Sequence, residues 1–166
     1  MHLYLLRHAI AVPRGTPGFP NDDRPLTDEG VRKMTRAAAG LARVVGRIDV
    51  ILTSPLSRAL QTARIAAEAL DREERVQLCD ALLPAVPLRD VLAHLRGIPG
   101  ASGVMLVGHE PMLGLLASSL LGSEESVIEF RKGAVCLIEV GSMPPDRPGV
   151  LRWHLQPKHL RALADD

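Results

Sequence analysis

Short apolar runs alternate along the chain with segments of helical spacing, and this alternation limits the fold more than any other feature. The pattern predicts strands at residues 3–6, 48–52, 76–78, 104–107, 134–140 and 150–155, and helices at residues 28–45, 57–70, 88–95 and 112–121. Alternating strands and helices are typical of an α/β domain with a mainly parallel sheet. The two adjacent strands of the tail predict one antiparallel pairing at the sheet edge.

The length of 166 residues is that of one domain with a single core, so we expect one unit over residues 1–166. The first apolar run follows no basic segment, and no apolar stretch is long enough for a membrane helix. Cys79 and Cys136 lie in apolar surroundings and are expected to be buried free thiols. Together these features predict a location in the reducing cytoplasm, with no membrane contact.

The charge balance disfavours a nucleic-acid-binding protein. The chain has 20 Lys and Arg residues against 19 Asp and Glu residues, and its aromatic content is 2%. A nucleic-acid binder usually has a basic excess, and a single-strand binder also needs aromatic side chains for stacking. We therefore expect no nucleic acid among the partners.

Polar side chains follow three of the predicted parallel strands. Arg7 and His8 come after the first, Ser54 and then Arg58 after the second, and His109 after the fourth strand of the chain. Ligand sites of such sheets form at the carboxyl ends of the strands. We therefore expect Arg7, His8, Arg58 and His109 to converge at one edge of the sheet, here called the rim.

Two arginines and two histidines favour a phosphoryl group as the ligand. The guanidinium fork matches phosphate oxygens, and helices that begin near residues 57 and 112 would add the positive ends of their dipoles. Neutral imidazole is a nucleophile that can be phosphorylated. Each of the four residues would have an ordinary structural role if it occurred alone. The remaining histidines lack this support and are expected to be structural or solvent-facing: His2, His94, His154 and His159.

A metal site is the main alternative at the same rim. The side chains that would gather a divalent ion are His8, His109, Asp22, Asp23 and Glu110. The chain contains no HExxH motif and no clustered Cys/His spacing, and nearby arginines would repel a cation. The glycine-rich phosphate loops and the GxSxG elbow are also absent.

Four motifs then resemble a known family. They are LLRHAIA at residues 5–11, RPLT at 24–27, TSPLSRA at 53–59 followed by QTA at 61–63, and VGHEP at 107–111. In order and spacing they are similar to the histidine phosphatase (phosphoglycerate-mutase-like) superfamily. Within it, the chain resembles the small bacterial SixA-type phosphohistidine phosphatases.

The resemblance implies both a fold and a set of site residues. The fold is a three-layer α/β/α sandwich. His8 is the implied nucleophile, and Arg7, Arg58 and His109 would form the phosphate pocket. Arg24 matches a family position near the pocket and is a candidate for substrate contact. The family implies neither a metal nor an organic cofactor.

One departure from the family concerns the general acid. Larger members carry an acidic residue after the third strand, and that position falls here on Ala81, beside Asp80. Asp80, Glu110 and water remain as proton donors. An alkoxide leaving group needs a proton, whereas a protonated phosphohistidine releases neutral imidazole. A site without a strong acid therefore favours phosphohistidine, and the small size of the chain predicts a shallow, open pocket.

We therefore expect a metal-independent phosphatase with a phosphohistidine intermediate at His8, acting on phosphohistidine of a protein. The alternative is a phosphatase of small molecules such as nucleotides or sugar phosphates. A non-catalytic phosphoprotein-binding module is disfavoured because His8, Arg58 and His109 are all present. The partner is then a phosphorylated protein or a small phosphorylated molecule, and the oligomeric state stays open.

Overall fold

A central sheet organises the part of the chain that the computed structural model describes, residues 1–98 and 100–165. Within these residues the sheet has six strands: β1 (His2–Arg7), β2 (Val50–Thr53), β3 (Val76–Leu78), β4 (Gly103–Gly108), β5 (Val135–Glu139) and β6 (Val150–Leu155). Their order across the sheet is β3-β2-β4-β1-β5-β6. The strands that carry the predicted site, β1, β2 and β4, are therefore neighbours at the centre of the sheet.

Helices cover both faces of the sheet. One face carries α1 (Asp28–Leu41), α2 (Ser57–Leu70) and α5 (Pro157–Leu163), and the other carries α3 (Leu88–Arg96) and α4 (Met112–Leu120). Side chains of β1 alternate between two buried clusters: Leu3 and Leu5 face α3 and α4, whereas Tyr4 and Leu6 face α1 and α2. The predicted α/β class and the three-layer sandwich are confirmed.

The antiparallel part of the sheet is larger than predicted. Strands β1 to β4 pair in parallel, but β5 is antiparallel to both β1 and β6. The segment between α4 and β5 returns to the rim, where Gly133 N donates to Arg7 O at 3.1 Å. Strand β5 therefore starts at the rim and runs opposite to β1. The predicted antiparallel pairing of β5 with β6 is confirmed, and the pairing of β5 with β1 adds a second one.

The first helix begins as predicted but ends early. The Thr27 side chain accepts a hydrogen bond from Gly30 N at 3.0 Å, which caps the helix N-terminus. The helix ends at Leu41, four residues before the predicted end, and the chain continues in turns. Val44 and Val45 still pack against the core from these turns, and this contact explains the extended apolar spacing.

Helix α5 was not predicted from the sequence. It begins at Pro157, a favourable first helical residue, and only Leu160 of its seven residues is buried. A helix with one buried residue has too little apolar periodicity to be recognised. It docks on α1 at Gly40, where an added Cβ would lie 1.8 Å from Leu160 O.

The cysteines agree with a further expectation. Cys79 and Cys136 are free and buried. Burial raises the pKa of the Cys136 thiol to about 12 and also raises that of Cys79. Among the described helices, none combines the length and the hydropathy that crossing a bilayer requires.

The contact at Gly40 predicts the sign of a stability change. In an exposed helix, Gly→Ala raises helix stability by about 1 kcal/mol. Gly40→Ala should instead lower the free energy of unfolding by about 1–3 kcal/mol, because the new methyl group must push α5 away from α1. Urea denaturation followed by circular dichroism measures the change. Unchanged or increased stability would show that α5 does not pack closely on α1.

Candidate active site

The sheet register brings the ends of three strands to one level. Arg7 of β1 pairs with Gly108 of β4, and Thr53 of β2 pairs with Val107 of β4. The pairing continues past the strands, since His8 N donates to Gly108 O at 3.0 Å. The residues that follow β1, β2 and β4 therefore leave the sheet side by side.

His8 and His109 meet at this rim. Their ring centroids are 5.1 Å apart and the rings are tilted by 56°. Both residues are almost fully buried, with relative exposures of 6% and 4%. His109 Nε2 lies 2.9 Å from Ser54 Oγ, so the ends of β2 and β4 are joined by a side-chain hydrogen bond.

One hydrogen bond fixes the tautomer of His8. Its Nδ1 lies 2.7 Å from Ala9 O, and a carbonyl oxygen only accepts, so Nδ1 carries the proton. The lone pair is then on Nε2. Ala9 is itself held, because its N–H donates to Thr62 Oγ1 at 3.0 Å and Thr62 Oγ1 donates to Arg58 O at 2.7 Å.

Burial keeps both imidazoles neutral. It lowers the pKa of His8 to about 3, and the positive charges of Arg58, Arg7 and Lys132 act in the same direction. Burial likewise lowers the pKa of His109 to about 3, with a further contribution from His8 and Arg58. At neutral pH both rings are uncharged, and His8 Nε2 has a free lone pair.

Arg58 lies buried at the first turn of α2. Its Nη1 donates to Asp22 O at 2.6 Å and its Nη2 to Asp22 Oδ2 at 3.2 Å. Its Nε is buried and has no hydrogen-bond partner within the described residues. Burial lowers the pKa of the guanidinium, and the Asp22 carboxylate opposes this effect.

Asp22 is an organising residue whose role the sequence did not reveal. Its carboxylate accepts from Arg24 Nε at 2.7 Å and from Arg14 Nη2 at 3.0 Å, in addition to Arg58. These arginines hold the pKa of Asp22 far below its usual range. Arg24 is buried and also donates to Val12 O. Arg24 therefore supports the Asp22 loop, and its contact with substrate stays a prediction.

Arg7 is oriented by the segment that precedes β5. Its Nη1 donates to Phe130 O at 2.5 Å, while its buried Nε has no partner within the described ranges. Phe130 N in turn donates to Glu110 Oε1 at 2.6 Å, and Gly114 N donates to Glu110 Oε2 at 3.1 Å. Backbone groups thus occupy both oxygens of Glu110, which argues against Glu110 as the proton donor.

The other acidic residues considered for the rim, Asp80 and Asp23, lie in different surroundings. Asp80 is exposed at the start of a short 3-10 helix, and Ala81 packs against the core beside it. Asp23 Oδ1 accepts from Ser57 N at 2.7 Å and so holds the start of α2. Across residues 1–98 and 100–165 the structure has no group of three or more His, Cys, Asp or Glu side chains that could hold a metal ion.

Four histidines were expected to lie outside the site. His2, His94 and His159 are exposed, as predicted. His154 is half-buried, and its ring centroid lies 5.0 Å from that of Phe130. Burial lowers the pKa of His154, whereas the nearby Glu110 charge opposes this change.

Comparison with known proteins identifies the family. The family model of the histidine phosphatase superfamily (branch 1) matches residues 3–83. An uncharacterised protein of Picosynechococcus sp. is 34% identical over 146 residues, which cover 86% of this chain and 87% of that protein. The chain belongs to the histidine phosphatase superfamily. It is accordingly a hydrolase of that superfamily.

Two further comparisons each match a protein named SixA. Phosphohistidine phosphatase SixA of Escherichia coli is 24% identical over 163 residues, which cover 97% of each chain. The solved structure of the protein histidine phosphatase SixA complexed with tungstate has a TM-score of 0.83 and 24% identity. It covers 96% of this chain and 99% of that chain. This likeness shows that the two chains share a fold over nearly their whole length.

The buried histidines of this histidine phosphatase predict a pH-dependent stability. Unfolded histidine protonates near pH 6.5, whereas folded His8 and His109 protonate only near pH 3. The unfolded chain therefore binds more protons between these values. The stabilisation is complete above pH 6.5 and is lost as the pH falls toward 3, by about 1.4 kcal/mol per pH unit for each proton.

Urea denaturation at a series of pH values between 7 and 4 measures this effect. His8→Gln and His109→Gln should each reduce the slope of the unfolding free energy against pH by the contribution of about one proton. His94→Gln is the matched control because His94 is exposed on α3, and its slope should equal that of wild type. Equal slopes in all four proteins would show that His8 and His109 take up protons as readily in the folded state as in the unfolded state.

Proposed function

We propose that this chain removes phosphate from phosphohistidine on a protein, through an intermediate in which His8 carries the phosphoryl group. The observation that carries the proposal is the state of His8: buried, neutral and fixed with its lone pair on Nε2, beside two arginines and His109. This is the arrangement that nucleophilic attack on phosphorus requires.

Three nitrogen atoms at the rim support a phosphate pocket. Arg7 Nε, Arg58 Nε and His109 Nδ1 are buried and have no hydrogen-bond partner within the described residues. Buried polar groups without partners are rare, and each needs an explanation. If Ser54 Oγ donates to His109 Nε2, His109 carries its proton on Nδ1, and all three atoms are donors. Phosphoryl oxygens would accept their hydrogen bonds.

The proposed reaction has two displacements at phosphorus. His8 Nε2 attacks the phosphorus of a phosphohistidine whose other ring nitrogen is protonated. The bond from phosphorus to the substrate nitrogen breaks, and substrate histidine leaves as neutral imidazole. A water molecule then attacks phospho-His8, the Nε2–P bond breaks and inorganic phosphate leaves. The second step releases the water proton to phosphate or solvent and regenerates neutral His8.

The charges around the rim favour both steps. Arg7 and Arg58 lie close enough to His8 to act on its pKa, so they also lie close to a phosphoryl group bound there. They stabilise negative charge on the phosphoryl oxygens in the transition state. The same positive charges repel a divalent cation, which supports a mechanism without metal.

The substrate class is inferred from the proton requirement and from a relative. Backbone hydrogen bonds occupy the Glu110 carboxylate, and arginines hold Asp22 ionised, so neither suits the role of acid. Release of neutral imidazole needs no acid from the enzyme. The relative from Escherichia coli is named a phosphohistidine phosphatase, and its alignment spans nearly all of this chain.

Trapping the intermediate with an alkaline, denaturing quench tests the nucleophile. A phosphohistidine-bearing peptide labelled on phosphorus should transfer base-stable, acid-labile label to wild type but not to His8→Ala. His94→Ala is the matched control and should be labelled like wild type. Label on His8→Ala would contradict the assignment of the nucleophile. Hydrolysis of an aryl phosphate without any reaction of the peptide would indicate a small-molecule phosphatase.

Arg58→Ala tests the phosphate pocket. Loss of a donor to the transition state should lower kcat/KM for an aryl phosphate about 100- to 1000-fold. Arg64→Ala is the matched control, because Arg64 lies exposed on the same helix and should retain wild-type activity. Steady-state kinetics measures both variants. If kcat/KM of a folded Arg58→Ala protein changes less than about threefold, Arg58 has no role in binding the transition state and only holds Asp22.

A further inference from the structure

A groove beside the rim, here called the basic groove, has no role in the proposed reaction apart from Arg7, which lines it. It has a volume of about 630 Å³ and lies between α1, α5 and residues 131–133. Its cationic lining comprises Arg7, Lys33, Arg131, Lys132, Lys158 and Arg161. Within the described part of the chain no Asp or Glu side chain lines it. This concentration of charge stands out in a chain whose formal net charge is +1.

The positive charge of the groove is mostly uncompensated. Lys33 has an acidic neighbour, Glu29, which lies one helical turn away with its oxygen 2.5 Å from Nζ. For Arg131, Lys132, Lys158 and Arg161, no carboxylate oxygen of the described residues lies within ion-pair distance. An anionic ligand would therefore meet free cations along most of the groove.

The groove is built by close packing. Gly133 has a φ of +80°, which favours glycine, and a Cβ added there would lie 3.5 Å from Pro157 Cγ and 3.8 Å from Met34 Sδ. This turn places Lys132 in the lining of the groove. The floor of the groove is apolar and is formed by Ile10, Met34, Ala37 and Pro157.

The basic groove reaches the candidate active site. Arg7 lines the groove and is also the residue that precedes His8. Lys132, also in the lining, lies close enough to lower the pKa of His8. A molecule whose phosphoryl group lies at His8 could therefore continue into the groove without leaving the surface.

We propose that the basic groove binds an acidic segment of the protein that carries the phosphohistidine. This inference rests on the proposed function and names the surface chemistry of its substrate. Cations at the walls fit carboxylates of the partner, and the apolar floor fits the aliphatic side chains between them. A small inorganic polyanion would leave the apolar floor uncovered, so the lining favours a protein segment.

The test uses two synthetic peptides of equal length with one phosphohistidine each. In one peptide the flanking residues are Glu and Leu, and in the other Gln replaces each Glu. Wild type should act on the acidic peptide with a kcat/KM about tenfold higher at low ionic strength, and salt should reduce this preference. No preference for the acidic peptide would overturn the proposal.

Charge reversal in the groove should remove the preference. Lys158→Glu/Arg161→Glu is expected to lower kcat/KM for the acidic peptide about tenfold and to leave an aryl phosphate unaffected. Lys158→Glu alone, at an exposed position, serves if the double variant does not fold. The control Arg89→Glu/Arg96→Glu changes the same net charge on exposed residues of α3, on the opposite face of the sheet. Equal losses in both double variants would overturn the proposal, because they would reflect net charge alone.

A binding measurement separates this inference from the proposed function. Fluorescence anisotropy of the acidic peptide without its phosphoryl group reports the groove directly. If neither phosphopeptide is hydrolysed, the proposed function fails. Binding that Lys158→Glu weakens would then still support the groove, and absence of binding would overturn it. Equal competition by inorganic polyphosphate and by the acidic peptide would assign the groove to polyanions in general and contradict a protein-specific surface.

Discussion

The candidate site depends on the register of three parallel strands, β1, β4 and β2. His8 N donates to Gly108 O, and Ser54 N donates to Val107 O, so the backbone ladder along β4 continues one residue beyond β1 and one residue beyond β2. The rim residues are therefore placed by main-chain hydrogen bonds before any side chain interacts. A shift of one residue in either pairing would turn the histidines to different faces of the sheet and separate them.

Burial keeps the rim histidines neutral and also opposes the stability of the rim. The same loss of water that keeps His8 neutral lowers the pKa values of Arg7 and Arg58, which disfavours their charged forms. Asp22 supplies a compensating negative charge from the loop before α1. The donors that have no partner within the described residues are tolerated because the cores on both faces of the sheet stabilise the fold. Bound phosphate would accept hydrogen bonds from these donors and so remove the free-energy cost of leaving them unpartnered.

The sequence allowed prediction of what depends on periodicity and on contiguous motifs. The alternating pattern yielded the sheet, and the motifs identified the residues that meet at its rim. Helix α5 was not predicted because its single buried residue gives no apolar periodicity. The role of Asp22 was not predicted because its partners are spread along the sequence: Arg14, Arg24 and Arg58. They come together only through a turn in which Asn21 and Asp22 both have a φ of 59°. The second antiparallel pairing depends on the path of residues 121–134, which no local pattern specifies.

Each rim arginine is oriented by an oxygen from outside its own motif. Phe130 O holds Arg7, and the Asp22 main chain and carboxylate hold Arg58. In both cases the contact uses the terminal nitrogens and leaves Nε unpartnered within the described residues. The motifs therefore supply the rim side chains, but the loops before α1 and before β5 decide where their donors point. Because residues 131–133 belong to the basic groove, the segment that aims Arg7 also shapes the surface beside it. A partner bound in the groove would act on the orientation of Arg7 through that segment.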